Sequence, residues 1–226
     1  MKNKEFIVYE GKAFTVEWYY DANGKSQSLD YYEALDTRQR AKFISLVRLM
    51  GDVGKIFNKQ KFNNEGDKIF AFKPQPDRFL CFFFEGAKII ITNAFLKKQD
   101  KLPVNEKERA LRHMRDFIER VKKEATTMTR KKSTFEREMK SSAFRHAFEK
   151  EYSELLLSEL VCAAMEEDEI SVRKLAKAVN LSPSVIQKIR KGAQKDVKIG
   201  NFLNIMQQCG FSVILEKDDQ RIQLHP

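Results

Sequence analysis

The sequence predicts an α+β domain, an antiparallel sheet packed on helices, followed by a mainly helical domain that ends in a β-hairpin. Three observations carry this. Three apolar runs between residues 68 and 95 are separated only by PQPD and EG, the pattern of an antiparallel meander. From about residue 135 to Cys209 the apolar residues recur at helical spacing. Between the two regions lies KKEATTMTRKKST, polar and basic, with no apolar period; it reads as a linker. The expected division is a domain over 1–122, a linker over 123–134 and a second domain over 135–226.

Taken in order, Ala13 to Tyr20 (AFTVEWYY) is rich in β-branched and aromatic residues, and DANGK follows as a turn. Asp36 with Gln39 makes a capping-box-like helix start. Phe43, Leu46, Val47 and Met50 then fall on one helical face, which stops near Gly51 and Gly54. The meander runs are KIFAF (68–72), RFLCFFF (78–84) and KIIITNAF (88–95). The middle run is apolar on both faces, so both must be covered. Asn105 and Glu108 are expected to cap a helix whose stripe is Leu111, Met114, Phe117, Ile118 and Val121. At the other end, Phe211 to Leu215 and Arg221 to Leu224 form the expected hairpin.

Composition narrows the function classes. With 42% hydrophobic and 33% charged residues the chain is of ordinary globular type. No 18-residue apolar stretch could span a bilayer, and the charged start MKNKEFIVYEGKAF does not read as a signal peptide. Cys81, Cys162 and Cys209 are expected as reduced core thiols, and the compartment as cytoplasm. His113, His146 and His225 lack ligand-spaced neighbours, so neither a metal nor a cofactor is expected. The run MEEDE (165–169) reads as a solvated loop, with pairing to the lysines of the first half as the alternative. The net charge of +10 favours a polyanionic partner, DNA, RNA or ribosome. Residues 1–127 carry 25 Lys and Arg against 18 Asp and Glu, and the rest 17 against 14, so the two halves have different electrostatic characters.

The most specific signal is SVRKLAKAVNLSPSVIQKIRKG, Ser171 to Gly192. Ala176 is small enough for a tight helix crossing, and Asn180 suits a left-handed turn residue. Leu175, Val179, Leu181, Ile186 and Ile189 supply a shared core. Ser182 is a good N-cap, Pro183 a good first helical residue, and Gly192 can end the helix. The pattern, over roughly 152–215, resembles the Cro/C1-type (XRE) helix-turn-helix family. That resemblance implies a recognition helix in the major groove, opening at Ser182, with Ser184, Gln187 and Lys188 on base edges. It implies phosphate contacts from Arg190, Lys191 and Lys195. It also implies homodimeric binding to operator DNA, with the terminal hairpin as a dimer contact. FEREMKSSAFRHAFEKEYSELLLSEL resembles the N-terminal region of HigA-type antitoxins, and MTRKKSTFEREM, from Met128, reads like a second protein start.

The order strand, helix, three-strand meander, helix over residues 12–120 resembles RelE/ParE-like toxins, in particular the HigB branch. DRFLCFFF is similar to that family's tyrosine-arginine-apolar strand, with Asp77 in place of tyrosine and Arg78 at the arginine. NAFLKKQDKLPVNEKERA is similar to its phenylalanine-lysine-lysine motif. The resemblance implies ribosome-dependent mRNA cleavage by 2′-hydroxyl attack, with Arg78 stabilising the transition state and Lys73 assisting or acting as base. Phe95 would stack on a base, and Lys97, Lys98 and Lys101 would bind RNA backbone. Three readings stay open. A toxin is fused to its antitoxin, in nature or by design, with an intramolecular contact between the halves. A catalytically dead toxin fold serves as dimerisation or effector module of a DNA-binding regulator. The toxin poisons gyrase rather than cutting RNA.

Overall fold

The computed structural model describes residues 5–85, 87–98, 102–123, 133–167, 170–194, 197–217 and 220–224. The chain forms two compact units, residues 1–152 and 153–226.

The first unit is built on a six-stranded sheet in the order β1-β2-β6-β5-β4-β3. Its strands are β1 (Ile7–Glu10), β2 (Thr15–Trp18), β3 (Phe62–Gly66), β4 (Ile69–Phe72), β5 (Asp77–Phe84) and β6 (Lys88–Leu96). All neighbours are antiparallel except β2 and β6, which run parallel. The connection from β2 crosses through helices α1 (Gln27–Glu33) and α2 (Thr37–Val53). The three expected runs are β4, β5 and β6, and β5 is covered on both faces. On one face Phe79 stacks on Phe43 of α2 at 3.9 Å, with Trp18 stacked on Phe43 at 5.6 Å. On the other, Leu80 and Phe82 pack with Ala110, Leu111, Met114, Phe117 and Ile118 of α3 (Val104–Lys123).

Several expectations need correcting. The meander has four strands, because β3 precedes it, and β1 and α1 were not expected at all. β3 (FNNEG) is polar, which an edge strand tolerates because one side faces solvent. Asp36 caps α2 as expected, accepting from the Gln39 amide, and of the two glycines at the expected stop it is Gly54, with a left-handed φ of 81°, that ends the helix. Gly51 is buried inside α2 because the β1–β2 turn lies on it: its carbonyl accepts from the amides of Ala13 and Phe14. α3 begins at Val104, so Asn105 lies within its first turn, where Pro103 supplies the carbonyl that the amides of Glu106 and Lys107 use. Val121 of its expected apolar stripe is 39% exposed.

Residues 133–152 belong with the sheet unit, not with the helices after them. They comprise α4 (Thr134–Glu138) and the beginning of α5 (Ser142–Glu167). Ser133 and Glu136 form a reciprocal capping box on α4. The Trp18 indole N–H donates to the Thr134 hydroxyl at 2.8 Å, and that hydroxyl donates to Glu5. Arg40 pairs with Glu138 and Arg38 with Glu151, each at 2.8 Å. The Arg48 guanidinium lies over the rings of Phe135, Phe148 and Tyr152, 4.8 Å from the last. Division by packing therefore differs from division by composition at 122–134. Residues 124–132, with Met128, lie outside the described residues.

In the second unit the remainder of α5 packs with α6 (Val172–Ala178), α7 (Pro183–Arg190) and α8 (Ile199–Gln208). Their core holds Val161, Met165, Leu175, Ala176, Val179, Ile186, Ile189, Ile205, Met206 and Cys209. Ser171 and Ser182 cap α6 and α7 by accepting from the amides of Lys174 and Val185. Asn180, between them, has φ 53°. β7 (Val213–Lys217) and β8 (Gln220–Leu224) pair antiparallel. Cys81, Cys162 and Cys209 are all buried, and burial raises the thiols of the first two above the usual range. Of MEEDE, residues 165–167 belong to α5, with Met165 buried rather than solvated. Asp168 and Glu169 lie outside the described residues. No described helix is long and apolar enough to cross a membrane.

Candidate functional site

Register in the sheet decides which side chains meet, because residues directly opposite in an antiparallel pair share a face. Asn63 opposes Ala71, Ala71 opposes Leu80, and Arg78 opposes Phe95. A cleft of about 240 Å³ opens over this region. Its basic residues are Lys73, Arg78 and Lys97, its ring is Phe95, and Leu102 and Pro103 bound it before α3. Ala71 contributes only a methyl, which leaves room that a larger residue would fill. Four of the expected RNA-site residues, Lys73, Arg78, Phe95 and Lys97, are thus brought to one place. Lys98 is exposed and does not line the cleft, and Lys101 lies outside the described residues.

Two polar lining residues were not singled out from sequence, Asn63 and Glu65. Glu65 is the more consequential. Its carboxylate pairs with the Lys73 ammonium at 2.8 Å, with both side chains largely covered. Only the polarity of NNE within a weak edge strand marked these positions, and polarity there reads equally well as a loop.

Arg78 is 6% exposed. Its Nη1 donates to the Asp77 carbonyl at 2.8 Å and Nη2 to the Gln75 side-chain oxygen at 3.4 Å. Burial pulls its pKa below the usual guanidinium value, with Glu65 and Asp77 acting in the opposite direction. A buried guanidinium flanked by two lysines, with a single carboxylate opposite, can hold a phosphate and exchange a proton beside it. Among the described residues no group of three or more His, Cys, Asp or Glu is placed to hold a metal ion. His113 lies on α3, its ring stacked on Tyr19 at 4.4 Å and its Nδ1 2.9 Å from the Thr92 carbonyl oxygen.

In the second unit Ser184, Gln187, Lys188 and Lys191 are all exposed and fall at i, i+3, i+4 and i+7, one side of α7 and its C-cap. The Ser182 and Ser184 hydroxyls lie 2.9 Å apart. Arg190 is half-buried, and its carbonyl accepts from the Ser158 hydroxyl at 2.7 Å. Lys195 lies outside the described residues.

No curated protein matches the chain. Residues 30–115 match the family described as Phage derived protein Gp49-like (DUF891), a toxin-like family of RelE type. The matched stretch contains α2, β3 to β6 and all the residues that line the cleft; in this part the chain is similar to that family.

Proposed function

We propose that the chain is a toxin–antitoxin fusion. Its first half is a ribosome-dependent mRNA endonuclease of RelE/HigB type that needs no metal or cofactor. Its second half is a HigA-like antitoxin that neutralises the first half, binds operator DNA as a homodimer through its helix-turn-helix, and acts in the cytoplasm. The observation that carries the reading is the convergence of Lys73, Arg78, Phe95 and Lys97 on one cleft, within the stretch similar to a toxin-like family.

The chemistry follows from the lining. A nucleotide stacks its base on Phe95 and sets its phosphate against Arg78 and Lys97. Glu65 takes the proton of the 2′-hydroxyl as the O2′–P bond forms and the P–O5′ bond breaks. Lys73 gives a proton to the departing 5′-oxygen and recovers one from Glu65 across their 2.8 Å contact. Arg78 stabilises the charge that grows on the phosphate. The products are a 2′,3′-cyclic phosphate and a 5′-hydroxyl end.

Segment 133–152 is the part of the antitoxin half that sits on the toxin half. The residues it meets through the bonds and rings above, among them Glu5, Trp18, Arg38, Arg40 and Arg48, do not line the cleft. Segment 133–152 in this reading covers toxin surface outside the cleft, surface that the ribosome would need.

The second reading is a catalytically dead toxin fold kept as a module of a DNA-binding regulator. What favours it is that the Arg78 guanidinium is already hydrogen-bonded to its own turn and Lys73 is paired with Glu65. Growth of cells expressing residues 1–127, the same with Arg78→Ala, or the full chain separates the two. The fusion reading expects arrest by the first alone. Equal growth of all three at matched soluble levels contradicts it.

A further inference from the structure

We propose that Asp77 is the positioning residue of the cleft: its carboxylate, held from α1 and α2, sets the turn on which the Arg78 guanidinium is braced. The proposal rests on the reading of the cleft as a phosphate site. Asp77 is 2% exposed, a buried carboxylate at the first position of β5. One oxygen accepts from the Tyr31 hydroxyl at 2.6 Å and the other from the Gln39 side-chain amide at 2.8 Å. The same Gln39 amide donates to the Gln75 carbonyl at 3.2 Å, and Lys42 reaches that carbonyl at 3.4 Å. Helices α1 and α2 thus grip residues 75 and 77. The guanidinium donates to these same two residues, to the Asp77 carbonyl and the Gln75 side-chain oxygen.

A buried carboxylate is costly unless its lone pairs are occupied, so these donors specify one position for the turn. An arginine has four rotatable side-chain bonds, and a guanidinium that must meet a phosphate in two-point fashion gains from being held beforehand. Asp77 does not touch the ligand. It acts through its backbone and through Gln75, and Tyr31 and Gln39 act through Asp77.

Simple charge and positioning predict opposite signs, which makes the idea testable. Removal of a carboxylate near an anion site should tighten anion binding. Loss of a brace should loosen it. The test is a titration of the full chain with inorganic phosphate at constant ionic strength, followed by NMR at the Arg78 Nε–H, for wild type, Asp77→Asn, Gln39→Ala, the double variant and Arg78→Ala. Asparagine keeps the shape but cannot accept from both Tyr31 and Gln39. Expected is a dissociation constant raised about tenfold in each single variant, with the double no worse than Asp77→Asn, as for two ends of one bond. The Arg78 Nη signals, distinct in wild type, should average in both variants. Asp77→Asn and Gln39→Ala that bind phosphate as well as wild type, or better, overturn the proposal while leaving the cleft reading intact. A wild-type chain that binds phosphate no better than Arg78→Ala overturns both.

Discussion

Among single residues, Glu65 and Arg78 line the cleft and carry the chemistry proposed for it. Arg78 was legible through a resemblance, as the arginine of a tyrosine-arginine-apolar strand. Phe95, which opposes it across the sheet, was legible in the same way, as the ring of a phenylalanine-lysine-lysine motif. Glu65 was not legible, since its importance comes from the 2.8 Å contact of its carboxylate with the Lys73 ammonium, which has no sequence signal. Loss of its role as base should be costly. Glu65→Gln is expected to slow RNA cleavage about 10²–10⁴-fold with little change in substrate binding, measured as kcat and KM on ribosome-bound mRNA. An unchanged kcat would remove Glu65 from the chemistry.

Secondary-structure elements were legible wherever local chemistry determined them. Asp36 and Ser182 act as the N-caps they were read to be, Asn180 takes the left-handed conformation at φ 53°, and β4, β5 and β6 fall on the three apolar runs. β1 and β3 are short and are held by what they pack against, so nothing local announced them, whereas the Ser26 cap of α1 was a local signal left unread. The docking of α4 was equally hidden: it depends on pairs such as Trp18 with Thr134, 116 positions apart. Thr134→Val keeps the shape of that contact and strands a buried indole N–H. It should lower the stability of the full chain by about 1–3 kcal/mol, read from urea denaturation. No change in the midpoint would mean that α4 adds nothing to the first unit.

At the scale of the whole molecule, composition divides the chain at 122–134 and packing at 152/153, and both divisions have physical content. Composition marks where one kind of surface gives way to another. Packing marks which residues share a core, and residues 133–152 share theirs with the sheet through Thr134, Phe135, Glu138 and Phe148. In a toxin–antitoxin fusion this is the expected arrangement, because the antidote must hold its target before its other half can do anything else, and covalent linkage keeps its effective concentration high. The other half has its own test. Gln187→Ala should relax operator preference, whereas Lys191→Ala should weaken binding to all sequences alike and lower the salt dependence by about one ion, both measured by titration of labelled duplexes. If Gln187→Ala left sequence preference unchanged, α7 would not be the element that reads bases.

The most direct measurement of the central claim is the chemistry of mRNA ends in translating extracts given residues 1–127, the Arg78→Ala form or the full chain, at equal amounts of folded protein. The account predicts new 5′-hydroxyl and 2′,3′-cyclic phosphate ends with the first only, reduced about 10²–10³-fold by Arg78→Ala, as for loss of one donor to a transition-state charge. Intact mRNA in all three reactions would contradict it, and the first half would then stand as a scaffold for the second.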